Sequence, residues 1–216
     1  VSSDFKGFVN AADVAKIRTI FHPRESFYLV TFPNLGMVYC FDTRSPLEDG
    51  SYRTTTWSGM SPLCFTRNTS DQLYIGVKDG FGEYKGHKDN TASYELSYFS
   101  HPLAFGDSSR LKFLKSVTVT TFNGAGSNVT LQWAYDYAQD YTKQVYTLSD
   151  DFAGQYNNAL YNTTSQYSSS AVLINREKVG TNGHGTVVQI GLSTTVDGRE
   201  IAIQQMNVHS LIGRMV

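Results

Sequence analysis

The sequence predicts an all-β protein, and three observations support that prediction. Tyr and Phe contribute 14 and 13 residues to a chain of 216, and with Val and Thr they suit a pleated, half-buried surface. Apolar and polar residues alternate over short runs, as in half-buried strands. No stretch sustains a helical period, so we expect fewer than about one residue in ten to be helical, against the usual third.

The first part of the chain indicates two consecutive meanders of short strands. Residues 1–14 are expected to form a loop or a leading strand. Gly36 is expected where a turn needs positive φ. Strands are then predicted at residues 16–21, 27–32, 37–42, 53–57, 62–66, 73–77 and 81–85.

The strands of the second meander overlay those of the first at an offset of about 46 residues, which is typical of propeller blades. The three overlays are 17–20 on 63–66, 27–30 on 73–76, and 37–41 on 81–85. Two meanders are too few to close a propeller. We therefore expect residues 1–92 to form a propeller-blade-like meander repeat, an incomplete propeller.

Residues 93–216 are expected to form an antiparallel, β-sandwich-like unit with a polar excursion at 137–170 that carries one short helix or strand. The period-two run of Val129, Leu131 and Trp133 places Trp133 in the core. The apolar positions change parity between Ile203 and Met206, which requires a bulge or bend. Hairpin turns are predicted at 123–127 and 196–199. The remaining strands are predicted at 94–99, 110–122, 128–136, 171–175, 186–194 and 200–213.

The cysteines and the overall charge restrict the kinds of site that the chain can hold. Cys40 and Cys64 lie in apolar runs and are expected to be buried small hydrophobes; a disulfide between them stays open. Neither their spacing nor that of the histidines suggests zinc. The net charge of -1 argues against a general nucleic-acid binder, although it leaves a local basic patch open. No apolar run is long enough to cross a bilayer.

No catalytic constellation emerges from the sequence. Asp150 and Asp151 are adjacent, so on a strand they would face opposite ways and could not act on one bond; we expect a solvated turn there. The Gly-rich 124–126 segment precedes a strand rather than a helix, so it lacks the helix N-terminus that a phosphate-binding loop needs. No serine lies in a nucleophile elbow. The histidines are isolated from one another in the sequence: His22, His87, His101, His184 and His209.

We therefore predict that the chain is not an enzyme and has no catalytic residue, no metal site and no cofactor; a triad assembled from distant positions stays open. Tyr156, Tyr161 and Tyr167 alternate with Asn and Ser. Tyrosine offers contact area at low entropic cost, so this stretch is either a contact surface or a solvated loop.

Two segments resemble a known family. Residues 104–112 read AFGDSSRLK and lead into a strand, a Gly-rich turn and another strand, and residues 203–214 read IQQMNVHSLIGR. Together they resemble the C-terminal part of the tail nozzle (tail tubular) proteins of short-tailed bacteriophages. The upstream strands, with Trp57 ahead of the second meander, are similar to the blades of that family's propeller domain, whereas 137–170 matches nothing in it.

The resemblance implies a structural virion protein located in the phage tail. Members form a ring, typically six-fold, that closes the DNA channel and contacts the tail adaptor, tail fibres and other tail proteins; no catalytic residue carries over from them. Members are longer, so this chain would be a C-terminal fragment. A near-neutral chain also suits DNA that is contacted only weakly as it passes. The alternative is a receptor- or glycan-binding β module; a propeller glycosidase would need clustered inward carboxylates.

Overall fold

The computed structural model describes residues 3–11, 13–48, 50–107, 109–148, 153–154, 166–167 and 174–215. The structure is 58% strand and 6% helix, and its sheets are antiparallel apart from one two-stranded pair. The predicted all-β class and low helix content are therefore confirmed.

The one α-helix of the described residues, α1 (Ser3–Ala11), lies where a loop or leading strand was expected, so that prediction is wrong. Nine residues are too few for a helix to be stable alone. Phe5 explains its presence here, because its ring makes edge contacts with Phe32, Tyr39 and Phe41, with centroids 4.9 to 5.9 Å apart. Packing against a sheet, rather than a periodic pattern, thus stabilises the helix.

The chain divides into two compact units, Val1–Lys85 and Gly86–Val216, whereas the sequence suggested a division after residue 92. Residues just after the division bind within the second unit. Gly198 donates its backbone N–H to the His87 carbonyl oxygen at 2.8 Å. The Lys88 ammonium also lies 2.8 Å from a carboxylate oxygen of Asp197.

The first unit holds two antiparallel meanders. Their strands are β1 (Arg18–His22), β2 (Phe27–Phe32), β3 (Met37–Asp42), β4 (Arg53–Ser58), β5 (Cys64–Arg67), β6 (Leu73–Val77) and β7 (Gly80–Glu83). The β2 sheet has the strand order β1-β2-β3-β4, and the β6 sheet has the order β5-β6-β7. Gly36, in the turn before β3, has φ +63°, which confirms the positive φ expected there.

The two meanders share one hydrophobic cluster, and their inward residues follow the offset that aligns the strands. Phe27 and Leu29 of β2 are buried together with Leu73 and Ile75 of β6. Each pair, 27 with 73 and 29 with 75, is 46 positions apart (73 − 27 and 75 − 29). The repeat read from the sequence therefore extends to which side chains face the core. The opposite face of the β2 sheet packs against Phe5.

The second unit is built from two facing sheets and one short parallel pair. Its strands are β8 (Tyr94–Phe99), β9 (Arg110–Asn123), β10 (Asn128–Tyr135), β11 (Thr142–Thr147), β12 (Ala153–Gly154), β13 (Gln166–Tyr167), β14 (Ile174–Gly180), β15 (His184–Gly185), β16 (Val188–Val196) and β17 (Ile201–Met215). The β10 sheet has the order β11-β10-β16-β8. In the β9 sheet, β9 is flanked by β14 and β15 on one side and by β17 on the other, and the parallel pair is β12–β13.

Both of these sheets contribute to one core, as a β-sandwich-like unit requires. Trp133 is 3% exposed and lies in the core with the fully buried Val129 and Leu131, which confirms its predicted place. The register of β17 on β9 shifts between Ile203 and Gln205. The predicted irregularity between Ile203 and Met206 is therefore confirmed.

The two predicted hairpin turns of this unit are wrong. Residues 123–127 join β9 to β10, and residues 196–199 join β16 to β17, but in each case the two strands belong to different sheets. Gly124 and Gly126 do have positive φ, +75° each. Positive φ turns the chain sharply in either case, so it does not distinguish a hairpin from a crossing between sheets. One short helix or strand was expected in the 137–170 excursion, but its described residues form three strands: β11, which pairs with β10, and the two-residue pair β12–β13.

Candidate interaction surfaces

Four residues of the predicted solvated turn and the tyrosine-rich stretch lie outside the described residues. These are Asp150, Asp151, Tyr156 and Tyr161. Tyr167 is described only as part of the backbone of β13, which pairs with β12. The tyrosine-rich contact surface therefore stays a prediction.

The described histidines occupy unrelated environments. His22 is 3% exposed, beside the rings of Phe27 and Tyr84. His184 packs its ring against Phe113, and His209 is exposed on β17. In the described part of the chain, no three His, Cys, Asp or Glu side chains group as metal ligands, and no helix has the length and apolar character to span a membrane.

The two cysteines are unpaired, and only one follows the expectation of burial. Cys40 is half-buried, whereas Cys64 is exposed, so burial of Cys64 was a wrong expectation. Its side chain lies over Gly76 of the neighbouring strand; a Cβ at Gly76 would come within 2.4 Å of the Cys64 sulfur. Phe65, the next residue, packs towards the core instead.

A groove with basic lining crosses the outer face of the β9 sheet. It has a volume of about 610 Å³ and brings together parts of β9, β14 and β17. We call it the basic groove. Its lining residues are Lys115, Ser116, Lys178, Val208, His209, Ser210 and Leu211.

The register of the three strands explains this grouping. Ser116 of β9 lies opposite His209 of β17 and Gly180 of β14. Lys178 lies two residues before Gly180, and side chains two apart on a strand share a face. Arg176 is a further two residues back, so it shares that face beyond the groove.

The positive charge of this face is not neutralised by described neighbours. Lys115, Arg176 and Lys178 are exposed and form no ion pair within the described ranges. Glu177, between the last two, points to the opposite face. Its charge, together with the larger effect of burial, raises the pKa of the Tyr146 hydroxyl, which packs against the core.

The outer face of the β10 sheet offers a second, polar surface with an aromatic pair. Phe99 and Tyr141 make an edge contact with centroids 5.4 Å apart. The Phe99 ring lies across Gly191, where a Cβ would come within 2.4 Å of it. The Tyr141 hydroxyl donates to the Gln189 side-chain oxygen at 2.5 Å. This arrangement leaves Phe99 45% exposed at the edge strand β8.

Two aromatic side chains beside tight turns are largely exposed to solvent. Phe81, at the start of β7, is 81% exposed, and Tyr137, after β10, is 75% exposed. Asp136 and Tyr137 both have positive φ, at +50° and +62°, which is costly for a tyrosine. Asp136 accepts bonds from the Thr186 hydroxyl and from the backbone N–H groups of Thr186 and Val187. These bonds, that of the Thr186 hydroxyl foremost, lower the pKa of Asp136.

Sequence reasoning found none of these surfaces as sites. The cations at 176 and 178 follow the strand predicted at 171–175, whereas the structure extends that strand to Gly180 and so places both on one face. The chain matches no protein-family model, and no curated protein matches it.

Proposed function

We propose that this chain is a structural virion protein, a subunit of the tail nozzle ring of a short-tailed bacteriophage. In this role it closes the DNA channel and contacts other tail proteins. The observation that carries the proposal is the pair of consecutive open meanders whose inward residues repeat 46 positions apart. Such a repeat is what successive blades of a propeller require. The resemblance of residues 104–112 and 203–214 to the nozzle family supports it.

Open sheet edges and exposed aromatic side chains also favour an assembly role. Among the described residues, β4 and β8 each have a strand on one side only, and unpaired edges recruit further chains. Tyr94, Tyr98 and Phe99 of β8 are 41%, 50% and 45% exposed. Aromatic residues are enriched in subunit interfaces.

The resemblance supplies the remaining parts of the proposal. The ring has six copies, and its partners are the tail adaptor and the tail fibre proteins in the virion. The chain is not an enzyme in this role and binds no cofactor. Passing DNA is contacted only weakly, since the net charge is -1 and phosphate binding depends on basic side chains.

The test is assembly of the full-length protein. Negative-stain microscopy and sedimentation should show a ring of fixed copy number that joins virions, with a shallow salt dependence of DNA binding. A well-folded protein that stays monomeric at high concentration, does not join virions and hydrolyses a polysaccharide would overturn the proposal.

A second candidate, a receptor- or glycan-binding module, is favoured by the Phe99–Tyr141 pair on the outer face of the β10 sheet. The rings lie beside amide and hydroxyl side chains, including Gln132, which donates to the Ser193 hydroxyl at 3.2 Å. Aromatic rings with neighbouring amides suit the apolar faces and hydroxyls of sugars. Glycan-array binding by a monomer, lost in Phe99→Ala, would support this candidate over the ring.

A further inference from the structure

We propose that the basic groove of the β9 sheet binds an acidic, partly aliphatic segment of another polypeptide chain. This proposal goes beyond the nozzle ring and does not require it, because the groove is formed within the second unit alone. It rests on the positions of two lysines, on the hydroxyls beside them and on one exposed aliphatic residue, Leu211.

The first lysine, Lys115, lies at a β-bulge of β9. Leu114 and Ser116 pair with consecutive residues of β17, Ser210 and His209, so Lys115 between them has no partner there. Its carbonyl oxygen instead accepts the Thr181 N–H at 3.0 Å. Bulges redirect side chains at sheet surfaces, and this one adds an ammonium group to the lining of the groove.

The second lysine and the hydroxyls complete a site for carboxylates. Lys178 stands on β14, across β9 from His209 of β17, so cationic and imidazole groups border the groove on both sides. Ser116 of β9 lies between them, and Ser210 lines the groove next to His209 on β17. Charge-assisted bonds from ammonium groups to carboxylates are stronger than neutral ones, and no described carboxylate forms an ion pair with either lysine.

The other residues of the groove favour a polypeptide over a nucleic acid. Leu211, which lines the groove, is 58% exposed. An aliphatic side chain of a partner can pack against it, whereas a phosphate backbone gains nothing from it. The lining contains no Phe, Tyr or Trp, and single-stranded nucleic acids usually need such rings for stacking.

The geometry of β17 suits an extended partner. Among the described residues, β17 pairs only with β9 and so has a free outer edge. An extended segment that places acidic side chains in the groove can pair its backbone along this edge, as in β-strand addition. We therefore expect alternating acidic and aliphatic residues to bind better than acidic residues alone.

The experiment uses the whole chain and labelled peptides that alternate Glu with Leu or Glu with Ala. Fluorescence anisotropy at low salt should show tighter binding of the Glu–Leu peptide, weakening as salt increases. The double variant Lys115→Gln/Lys178→Gln should weaken that binding by about tenfold or more. The matched control is Lys78→Gln/Lys143→Gln, which removes the same charge from two exposed lysines outside the groove.

The outcomes separate the proposal from its rivals. Equal thermal unfolding of both double variants would show that any difference in binding is local. Loss of binding in the control as large as in the groove variant would overturn the proposal, because general charge would then explain it. Absence of peptide binding, or tighter binding of a labelled DNA duplex of the same charge, would overturn it as well. Peptide binding by a protein that forms no ring would refute the nozzle ring and leave the groove proposal intact.

Discussion

The indole N–H of Trp133 donates a hydrogen bond to the carbonyl oxygen of Asn182, 3.0 Å away. Tyr135, two residues along β10, donates its hydroxyl to the same oxygen, also at 3.0 Å. Asn182 follows β14 in the facing sheet, so one backbone carbonyl joins the two sheets of the second unit. The polar atom of a buried tryptophan normally needs such a partner.

Replacing Trp133 should therefore destabilise the protein strongly. We expect Trp133→Ala to lower the free energy of unfolding by about 3–5 kcal/mol, because it leaves a cavity in the core. The measurement is urea unfolding followed by circular dichroism. Tyr137→Ala, at an aromatic side chain that is 75% exposed, is the control and should change stability by less than about 0.5 kcal/mol. A loss below about 1 kcal/mol at Trp133 would contradict its role in the core.

Local pattern was enough to predict the place of Trp133 but not the pairing of its strand. Alternation over Val129, Leu131 and Trp133 fixes which side chains share a face. It does not predict whether β10 pairs with β9 in one sheet or lies in the facing sheet, because Gly124 would have a positive φ in both arrangements. The burial of apolar side chains on both sheets of the sandwich decides the pairing, and this burial depends on strands far along the chain such as β16.

Phe99 and Gly191 should show energetic coupling. A Cβ at Gly191 would come within 2.4 Å of the Phe99 ring, so we expect Gly191→Ala to cost about 1–2 kcal/mol through overpacking. In a Phe99→Ala background the same change should be neutral or stabilising, since alanine restricts the unfolded chain more than glycine does. A double-mutant cycle of unfolding free energies measures the coupling. Additive changes in the free energy of unfolding would show that the Phe99 side chain can move away from Gly191.

The two cysteines should differ in reactivity. Burial, with smaller contributions from Asp42 and Glu25, raises the pKa of Cys40 to about 11. The thiolate is the nucleophile, so at pH 8 we expect Cys40 to react with iodoacetamide on the order of a hundredfold more slowly than an ordinary thiol of pKa ~8.5. Mass spectrometry should find the first label on Cys64. Labelling of Cys64→Ser at the wild-type rate would contradict this.

Asp136 should make stability depend on acid pH. Its hydrogen bonds favour the charged carboxylate, so its pKa is lower in the folded than in the unfolded chain. The resulting stabilisation is present above the ordinary Asp pKa of about 3.9 and is lost as pH falls through the lower, folded value.

We expect Asp136→Asn to lower stability at pH 7 by about 1 kcal/mol, a modest value because solvent reaches this carboxylate. The gap between variant and wild type should close as the pH falls below about 4. Thermal unfolding across this pH range measures it, with Asp140→Asn, at an exposed position of the same loop, as the control. A gap that stays constant with pH would show that the charge of Asp136 is not involved.

The basic groove illustrates what sequence reasoning could not reach. Arg176 and Lys178 lie beyond the strand predicted at 171–175, and they share a face only because β14 continues to Gly180. The approach of Lys115 and His209 depends on β9 lying between β14 and β17, strands that are far apart in sequence. The bulge at Lys115 arises from pairing with β17, and no local residue pattern marks it.

Phe81 gives a direct test of the assembly role. Its side chain is 81% exposed, so it adds little to the core, and Phe81→Ser should change the free energy of unfolding by less than about 0.5 kcal/mol. If the β6–β7 hairpin, which carries Phe81, contacts a neighbouring subunit, Phe81→Ser should weaken self-association by about tenfold or more, because aromatic residues anchor interfaces. Sedimentation over a concentration series measures the association, with Val145→Ser on the exposed strand β11 as the control. An unchanged oligomer with Phe81→Ser would exclude the β6–β7 hairpin from the subunit contact, and association lost together with folding would show that Phe81 has a structural role instead.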